Sequence, residues 1–437
     1  MLRKITNEIV KWKESIDRMP LLIHGARQVG KTYIIKKFGK NNYENVIYVN
    51  LELEKEIIKD FEESIKPEFI INRLELYFGE HIKKEKTLIF IDEIQVSERA
   101  LTSLKYFCEE APEYNIIVAG SLLGIVINRK KYSFPVGKVK LLDMYPMDFE
   151  EFLWALGREN LSKEIRKCYF KNKNIGESLH ALSLELYRTY LIVGGMPNSI
   201  NKYLLNKKIL DSSGIKNDIL NNYIADMSKY TSNSEAIKVK NSYNSIPVQL
   251  AKDNKKFQYK VVQKGGTSTI FGVALEWLES AGIILRCNRI DHGYLPIDAY
   301  RDLSSFKIYM SDIGLLTTRA NIPLHSIMSD NNIQFSFMGA IAENYVAQAL
   351  KTNGFELFYW TSKNTAEVDF IIQLDGNVVP VEVKAGFNTR SRSLNIYKKK
   401  YNPKYSIRIS AKEFGFENDI KSVPLYAVFC IKDKMEY

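Results

Sequence analysis

The period of the apolar positions changes several times along the chain, and each change marks a new part. Over the first 155 residues, short β-rich runs alternate with stretches of helical period. The runs are Leu21–His24, Val46–Leu51, Leu88–Ile91, Ile116–Ala119 and Val139–Leu142, and the helical stretches include Phe69–Phe78 and Ala100–Glu110. Strands separated by helix-length segments predict a parallel α/β sheet. From Asp148 to about Lys240 the period is helical, most clearly over Glu150–Leu156 and Leu182–Ile192, and Gly194-Gly195-Met196-Pro197 breaks the second of these.

A compact segment then runs from about Asn244 to Met310. Its amphipathic helix, Gly272–Ala281, stops at Gly282 and leads into the β-run Ile283–Cys287. Glycine there suits the left-handed cap of a helix. Helix, short helix, helix and strand is the order of a winged helix-turn-helix, with the Lys-rich stretch Lys252–Lys264 on its DNA-facing side. A small packing domain with a solvated basic face accounts for the same pattern. From Ser336 onward the order is helix (Gly339–Thr352), strand (Leu357–Trp360), hairpin, basic helical stretch and further strands. Four domains are expected: 1–155, 156–240, 241–330 and 331–437.

Composition adjusts this picture in three ways. A net charge of +11 favours a polyanionic partner, and nine Lys or Arg between Lys384 and Lys412, without one Asp or Glu, place much of the excess near the C-terminus. The four cysteines, Cys108, Cys168, Cys287 and Cys430, are scattered with no zinc spacing, so they are expected as reduced thiols. The N-terminal MLRKITNEIVKWKES has no apolar core of a signal peptide. The apolar run Ile116–Ile127 is broken by Gly120, Ser121 and Gly124 and falls short of a bilayer span. A cytoplasmic protein without membrane contact is expected.

The candidate chemistry begins at Gly25-Ala26-Arg27-Gln28-Val29-Gly30-Lys31-Thr32, which fits G-x-x-x-x-G-K-[ST] between a strand and a helix. Gly25 and Gly30 let successive N–H groups turn toward phosphates, and the following helix presents its positive end to the same anion. Lys31 is expected to reach the β- and γ-phosphates of ATP, and the Thr32 hydroxyl to ligate Mg²⁺. The apolar run Leu88–Ile91 ends in Asp92-Glu93, where Asp92 would hold Mg²⁺ and Glu93 would polarise the attacking water. Ser121, at the end of Ile116–Gly120, is placed to sense the γ-phosphate; alone it would be a capping serine. No arginine carries a finger motif, Arg99, Arg129 and Arg188 being the candidates, so hydrolysis in trans within a homo-oligomeric ring stays open.

The segments LLIHGARQVGKT, TLIFIDEIQ, IIVAGSLLG, SFPVGKVKLLDMYPMDFEEFL and YLIVGGMPNSI together resemble a group of prokaryotic AAA-like ATPases. In that group the ATPase precedes a C-terminal domain of unknown function. The Gly-Gly-x-Pro at Gly194–Pro197 also resembles a motif of signal-transduction ATPases with numerous domains, which implies a nucleotide-controlled switch. A helix break and turn is the plainer reading.

A second constellation lies in Glu367–Ile372 and Val379–Lys384, with the turn pair Asp375-Gly376 between them. A two-residue turn there sets Leu374 opposite Asn377 and Asp369 opposite Glu382. Alternation puts Asp369, Glu382 and Lys384 on one face and Val368, Phe370, Ile372, Val379, Val381 and Val383 on the other. Facing carboxylates repel unless a cation joins them, and Mg²⁺ or Mn²⁺ suits carboxylate oxygens. Lys384 pairing with both acids on a solvated face is the alternative.

This Asp…Glu-x-Lys layout resembles the PD-(D/E)xK nucleases, which implies a restriction-endonuclease-like α/β fold. By that resemblance Asp369, Glu382 and the helical Glu343 would hold the metal, and Lys384 would serve catalysis. The basic cluster Arg390–Arg408, with Tyr397, Tyr401 and Tyr405, would grip phosphates and stack bases of DNA. Two functions remain in view: an ATP-gated DNA nuclease, and a nucleotide switch that binds DNA or a protein partner without cutting.

Overall fold

The computed structural model describes residues 1–121, 135–230, 232–328, 337–362, 366–387 and 392–432. They fall in two compact units, Leu2–Tyr145 with Ser280–Gly282, and Pro146–Glu279 with Ile283–Tyr437.

The first unit runs α1 (Ile5–Glu14), β1 (Leu21–His24), α2 (Lys31–Asn42), β2 (Asn45–Asn50), α3 (Lys55–Glu63), α4 (Pro67–Phe78), β3 (Thr87–Asp92), α5 (Glu98–Glu110), β4 (Asn115–Gly120) and β5 (Lys140–Asp143). All five strands are parallel, in the order β2-β3-β4-β1-β5. Their apolar content decides their place. Every residue of β3 and β4 is buried, as in a strand covered on both faces, whereas β2 and β5 alternate in exposure and take the edges. Local chemistry sets the helix ends. Ser97 accepts from Ala100 N and caps α5, while Pro67 opens α4 and left-handed Gly79 closes it. Ile57, Phe61, Ile70, Leu74, Leu101, Leu104 and Phe107 of α3–α5 form one core with Val49, Ile91 and Val118 of the sheet.

The second unit begins with helices: α6 (Phe149–Ala155), α7 (Glu159–Lys171), α8 (Glu177–Val193), α9 (Pro197–Asn206), α10 (Ser212–Tyr230), α11 (Asn233–Leu250), α12 (Tyr259–Val262) and α13 (Ser268–Ser280). Two strands follow, β6 (Ile284–Ile290) and β7 (Arg301–Met310), then α14 (Ile313–Arg319), α15 (Leu324–Met328) and α16 (Met338–Thr352). The chain closes with β8 (Phe358–Ser362), β9 (Ala366–Leu374), β10 (Asn377–Val383), α17 (Arg392–Tyr401), β11 (Ser406–Ser410), β12 (Gly415–Glu417) and β13 (Ile420–Pro424). Asp148 and Glu151 form a capping box at the start of α6, and Gly282, with φ +69°, follows α13.

The eight strands make one mixed sheet, ordered β12-β13-β11-β10-β9-β8-β6-β7. The expected border between residues 330 and 331 would cut a single sheet, because β6 and β7 pair antiparallel with each other and β6 pairs parallel with β8. Helices α11–α13 and the β6–β7 hairpin keep the order of a winged helix, but the hairpin completes the C-terminal sheet. Both Asp375 and Gly376 take positive φ, and the β9–β10 ladder runs from Asn377↔Leu374 to Val381↔Phe370, the register the turn dictates.

Helix α16 is buried almost all round, so its polar residues must find partners inside. Asn344 bonds both Met310 N and Met310 O, and Gln348 joins Ile313 N to Tyr190 Oη. The four cysteines are free thiols, and no helix among the described residues is long and apolar enough to cross a membrane.

Candidate nucleotide site and carboxylate–lysine cluster

The strand order of the first unit brings the nucleotide motifs together. The glycine-rich loop follows β1, Asp92 ends β3 and Ser121 follows β4, which lies between those two strands. Ligands of open α/β sheets bind beyond such strand ends. Two loop glycines are required by the backbone. Gly30 has φ +99° at the entry to α2, and a Cβ on Gly25, at φ +153°, would stand 2.1 Å from Met144 O.

Lys31 is buried, and its Nζ donates to Gly25 O at 2.8 Å and Ala26 O at 2.9 Å. Burial brings its ammonium down to about 8, against the pull of Glu93 and Asp92. Among the described residues the ammonium makes no ion pair, its two hydrogen bonds going to loop carbonyls, and a phosphate would supply the anion. Thr32 Oγ1 donates to Asp92 Oδ2 at 2.7 Å, and Tyr48 Oη reaches the same oxygen at 3.3 Å. A hydroxyl and a carboxylate this close suit a shared Mg²⁺, so the residues fit the metal that a P-loop implies. Bound there with ATP, the ion would offset charge on the β- and γ-phosphates.

Glu93 sits in the left-handed region, φ +53°, where Gln95 Nε2 donates to its Oε2. Arg27 Nε donates to Ser121 Oγ at 3.4 Å and its guanidinium pairs with Glu52 at 3.6 Å, so Ser121 is tied to the loop itself. Tyr48, Glu52 and Gln95 were not singled out by sequence; Gln95 stands two residues beyond Glu93, and that proximity was the available signal. Arg99 is engaged with Phe61 O and Glu62 within the first unit, Arg188 lies in α8, and Arg129 falls outside the described residues.

Gly194-Gly195-Met196-Pro197 has its own setting in the second unit. Gly195 N donates to Asp312 Oδ2 at 2.6 Å, and a Cβ on Gly195 would meet Met147 O at 2.1 Å. Asp312 also caps α14 through Leu315 N. Lys216, buried and brought down to about 8 by burial, donates to Ile192 O near the end of α8. The segment is therefore at least a closely packed helix break.

In the C-terminal sheet Glu343 of α16 and Asp369 of β9 come together with Glu367, one carboxylate oxygen of each lying within 4.8 Å of the others, and the charge of Glu382 bears on Asp369. Glu382 Oε1 accepts from Lys384 Nζ at 2.7 Å, and Asp369 Oδ2 accepts from Val383 N at 2.7 Å. The sequence did not anticipate two lysines in their midst. Lys307 of β7, fully buried, donates to Glu343 Oε1 at 2.9 Å and to Glu367 Oε1 at 2.5 Å. Lys255 donates to Glu343 Oε2, and Tyr309 Oη to Glu343 Oε1. Burial alone would raise the Glu343 carboxyl, but the two lysines overcome it and hold it at about 2. Burial, with the charges of Glu343 and Glu382, pushes Asp369 up to about 8.

Two details of the expected nucleic-acid surface change. Lys255, counted among the DNA-facing lysines, is turned into the carboxylate cluster. Tyr397 is fully buried against Trp360 and Tyr401, with ring centroids at 5.2 and 4.7 Å, so it belongs to the core and cannot stack on a base. Arg390 lies outside the described residues.

Residues 17–153 match the family model of an AAA domain, residues 184–326 that of a domain of unknown function (DUF8612), and residues 338–428 that of another (DUF4143). No curated protein matches the chain. Among solved structures it is similar to the Walker-type ATPase paby2304 of Pyrococcus abyssi, with 16% identity and a TM-score of 0.45 over 73% of this chain and 96% of that one. It is also similar to the ORC2 protein of Aeropyrum pernix in its ADPNP-ADP complexes, with 12% identity and a TM-score of 0.38 over 78% and 94% of the two chains. For the Aeropyrum pernix ORC1 protein in complex with DNA the values are 10% identity and 0.30, over 75% and 95%. Residues 17–153 thus match the model of an AAA domain and fold as a five-stranded parallel sheet with a P-loop after its first strand.

Proposed function

We propose that the chain is an ATP-binding and ATP-hydrolysing switch whose second unit binds DNA without cutting it. The observation that carries the ATPase part is the convergence of Lys31, Thr32, Asp92, Glu93 and Ser121 at the ends of three adjacent parallel strands. In this reading Lys31 and the loop N–H groups bind the phosphates, and Thr32 with Asp92 orients Mg²⁺. Glu93, positioned by Gln95, takes the proton of the attacking water, and Ser121, linked to Arg27, reports on the γ-phosphate. DNA binding is supported by the helix–hairpin order of α11–β7 and by the basic excess between Lys384 and Lys412.

A second reading, Mg²⁺-dependent cleavage at Asp369, Glu382 and Lys384, is favoured by the β9–β10 register. Lys307 and Lys255 stand against it, because both already engage Glu343, the helical acid expected to share that metal.

The test is ATP turnover and duplex binding measured together, for the wild type, Glu93→Gln and Lys31→Ala. The switch predicts turnover lost by on the order of 100-fold or more in Glu93→Gln with ATP binding kept, and both lost in Lys31→Ala. Duplex affinity should differ between ATP and ADP, fall steeply with salt, and leave supercoiled plasmid intact in Mg²⁺. Equal affinity in both nucleotide states would remove the switch. Plasmid cleavage lost in Lys384→Ala would replace it with the nuclease.

A further inference from the structure

The carboxylate cluster of the second unit raises a question that stands apart from the ATPase. Glu343, Glu367 and Asp369 each bring one carboxylate oxygen to within 4.8 Å of the others. By itself that spacing suits a cation. We infer that the cation is already built in: the Lys307 ammonium fills the place of a divalent metal, and this centre is complete without one.

The geometry makes the case. Lys307 Nζ lies 2.9 Å from Glu343 Oε1 and 2.5 Å from Glu367 Oε1, on a side chain with 0% exposure. Mg²⁺ binds oxygen at about 2.1 Å, so an ion on these same two oxygens would overlap the ammonium. The remaining acceptors are largely spent. Glu343 Oε2 takes Lys255, Glu343 Oε1 also takes Tyr309 Oη, Asp369 Oδ2 takes Val383 N and Glu382 Oε1 takes Lys384. Glu382 Oε2 is buried without a hydrogen-bond partner, and it is the atom where a metal would be sought. Glu367 Oε2 and Asp369 Oδ1 take no hydrogen bond among the described residues either, but three open oxygens on separate carboxylates beside three ammonium groups are still a poor donor set for an ion that prefers six near-octahedral oxygens.

The charges agree. Four carboxylates, Glu343, Glu367, Asp369 and Glu382, meet the ammonium groups of Lys255, Lys307 and Lys384, so at most one negative charge is left uncompensated. The fold also explains why Lys307 can stay. Ser305, Lys307 and Tyr309 alternate on one face of β7, and each is satisfied there: Ser305 by Tyr359 Oη, Lys307 by its two acids, Tyr309 by Glu343. A buried ammonium held by two carboxylates is expensive to expel, because removing it strands both acids.

The experiment is Mn²⁺ binding to the full chain without nucleotide, read from the loss of the free-ion paramagnetic resonance signal. Wild type and Asp369→Asn should bind Mn²⁺ alike. Lys307→Met should gain a site tighter by on the order of 10–100-fold, and adding Asp369→Asn should remove the gain. A wild-type site that weakens on this scale in Asp369→Asn overturns the inference. So does a Lys307→Met protein that unfolds cooperatively yet gains no site. Should Lys307→Met fail to fold, the comparison of wild type with Asp369→Asn decides alone. Because nucleotide is absent throughout, neither result depends on the ATPase reading.

Discussion

Lys31 is the residue whose chemistry can be worked furthest. Its ordinary value of 10.5 is brought down to about 8, chiefly by burial, in the nucleotide-free loop. At pH 7 the lysine is charged in both the folded and the unfolded chain, and holding that charge in the loop costs about 3 kcal/mol, at about 1.4 kcal/mol per unit. Between pH 8 and 10.5 the unfolded chain binds more protons than the folded one, so this group makes stability rise with pH across that window. Nucleotide binding has the opposite sign. Phosphate requires the ammonium, so affinity should fall about tenfold per pH unit above pH 8. The assay is a titration with a fluorescent ATP analogue in Mg²⁺ from pH 7.5 to 9.5, with Lys31→Met as the reference. Wild type should turn down near pH 8, while Lys31→Met binds weakly and shows no such bend. Without nucleotide, Lys31→Met sheds about 3 kcal/mol of buried charge and loses two charge-assisted hydrogen bonds worth about 1.5 kcal/mol each. The two effects nearly cancel, so its stability at pH 7 should lie within about 1 kcal/mol of wild type. A wild-type affinity that stays flat to pH 9.5, or the same bend in Lys31→Met, would refute the reasoning.

Further outcomes can be set against single measurements. Gly195→Ala places a Cβ 2.1 Å from Met147 O and should cost about 3 kcal/mol or more in urea unfolding, whereas Gly272→Ala, in mid-helix with nothing within 4 Å, should stabilise by up to about 1 kcal/mol. Asp312→Ala deprives Gly195 N and Leu315 N of their buried acceptor, and a loss of about 2–4 kcal/mol by thermal or urea unfolding is expected. Burial and the charges of Glu343 and Glu382 raise the Asp369 carboxyl to about 8, above its ordinary 3.8, so the folded chain holds a proton that the unfolded chain has lost. Stability from this group should fall as pH rises from about 4 to 8, and Asp369→Asn should flatten that limb of the unfolding profile.

How much was legible in the sequence varied with the distance over which each feature is decided. The glycine-rich loop and the Asp92-Glu93 strand end were readable because each is a few consecutive residues between a strand and a helix, and Ser121 because it directly follows an apolar run. The β9–β10 register from Asn377↔Leu374 to Val381↔Phe370 was readable for the same reason: Asp375-Gly376 closes a two-residue turn, and period-two alternation does the rest. The strand order, with β3 and β4 inside and β2 and β5 at the edges, came only from the sheet itself.

Tertiary structure alone decided what fills the carboxylate cluster. Lys307 reaches Glu343 and Glu367 across separations of 36 and 60 residues, and Lys255 reaches Glu343 across 88. No periodicity marks a lysine inside the run Phe306–Met310 as buried, because a charged side chain becomes buried only when distant acids meet it. Tyr397 was misread as a stacking platform because burial of an aromatic on a basic helix depends on Trp360, supplied by another strand. The joining of β6 and β7 to the C-terminal sheet was hidden likewise, since parallel pairing of β6 with β8 leaves no turn between them to announce it. The sequence by itself determined the elements, the phosphate loop and the hairpin register, all set by local backbone and side-chain chemistry. The fold decided which charges meet, because a long-range ion pair exists only after the chain has closed around it.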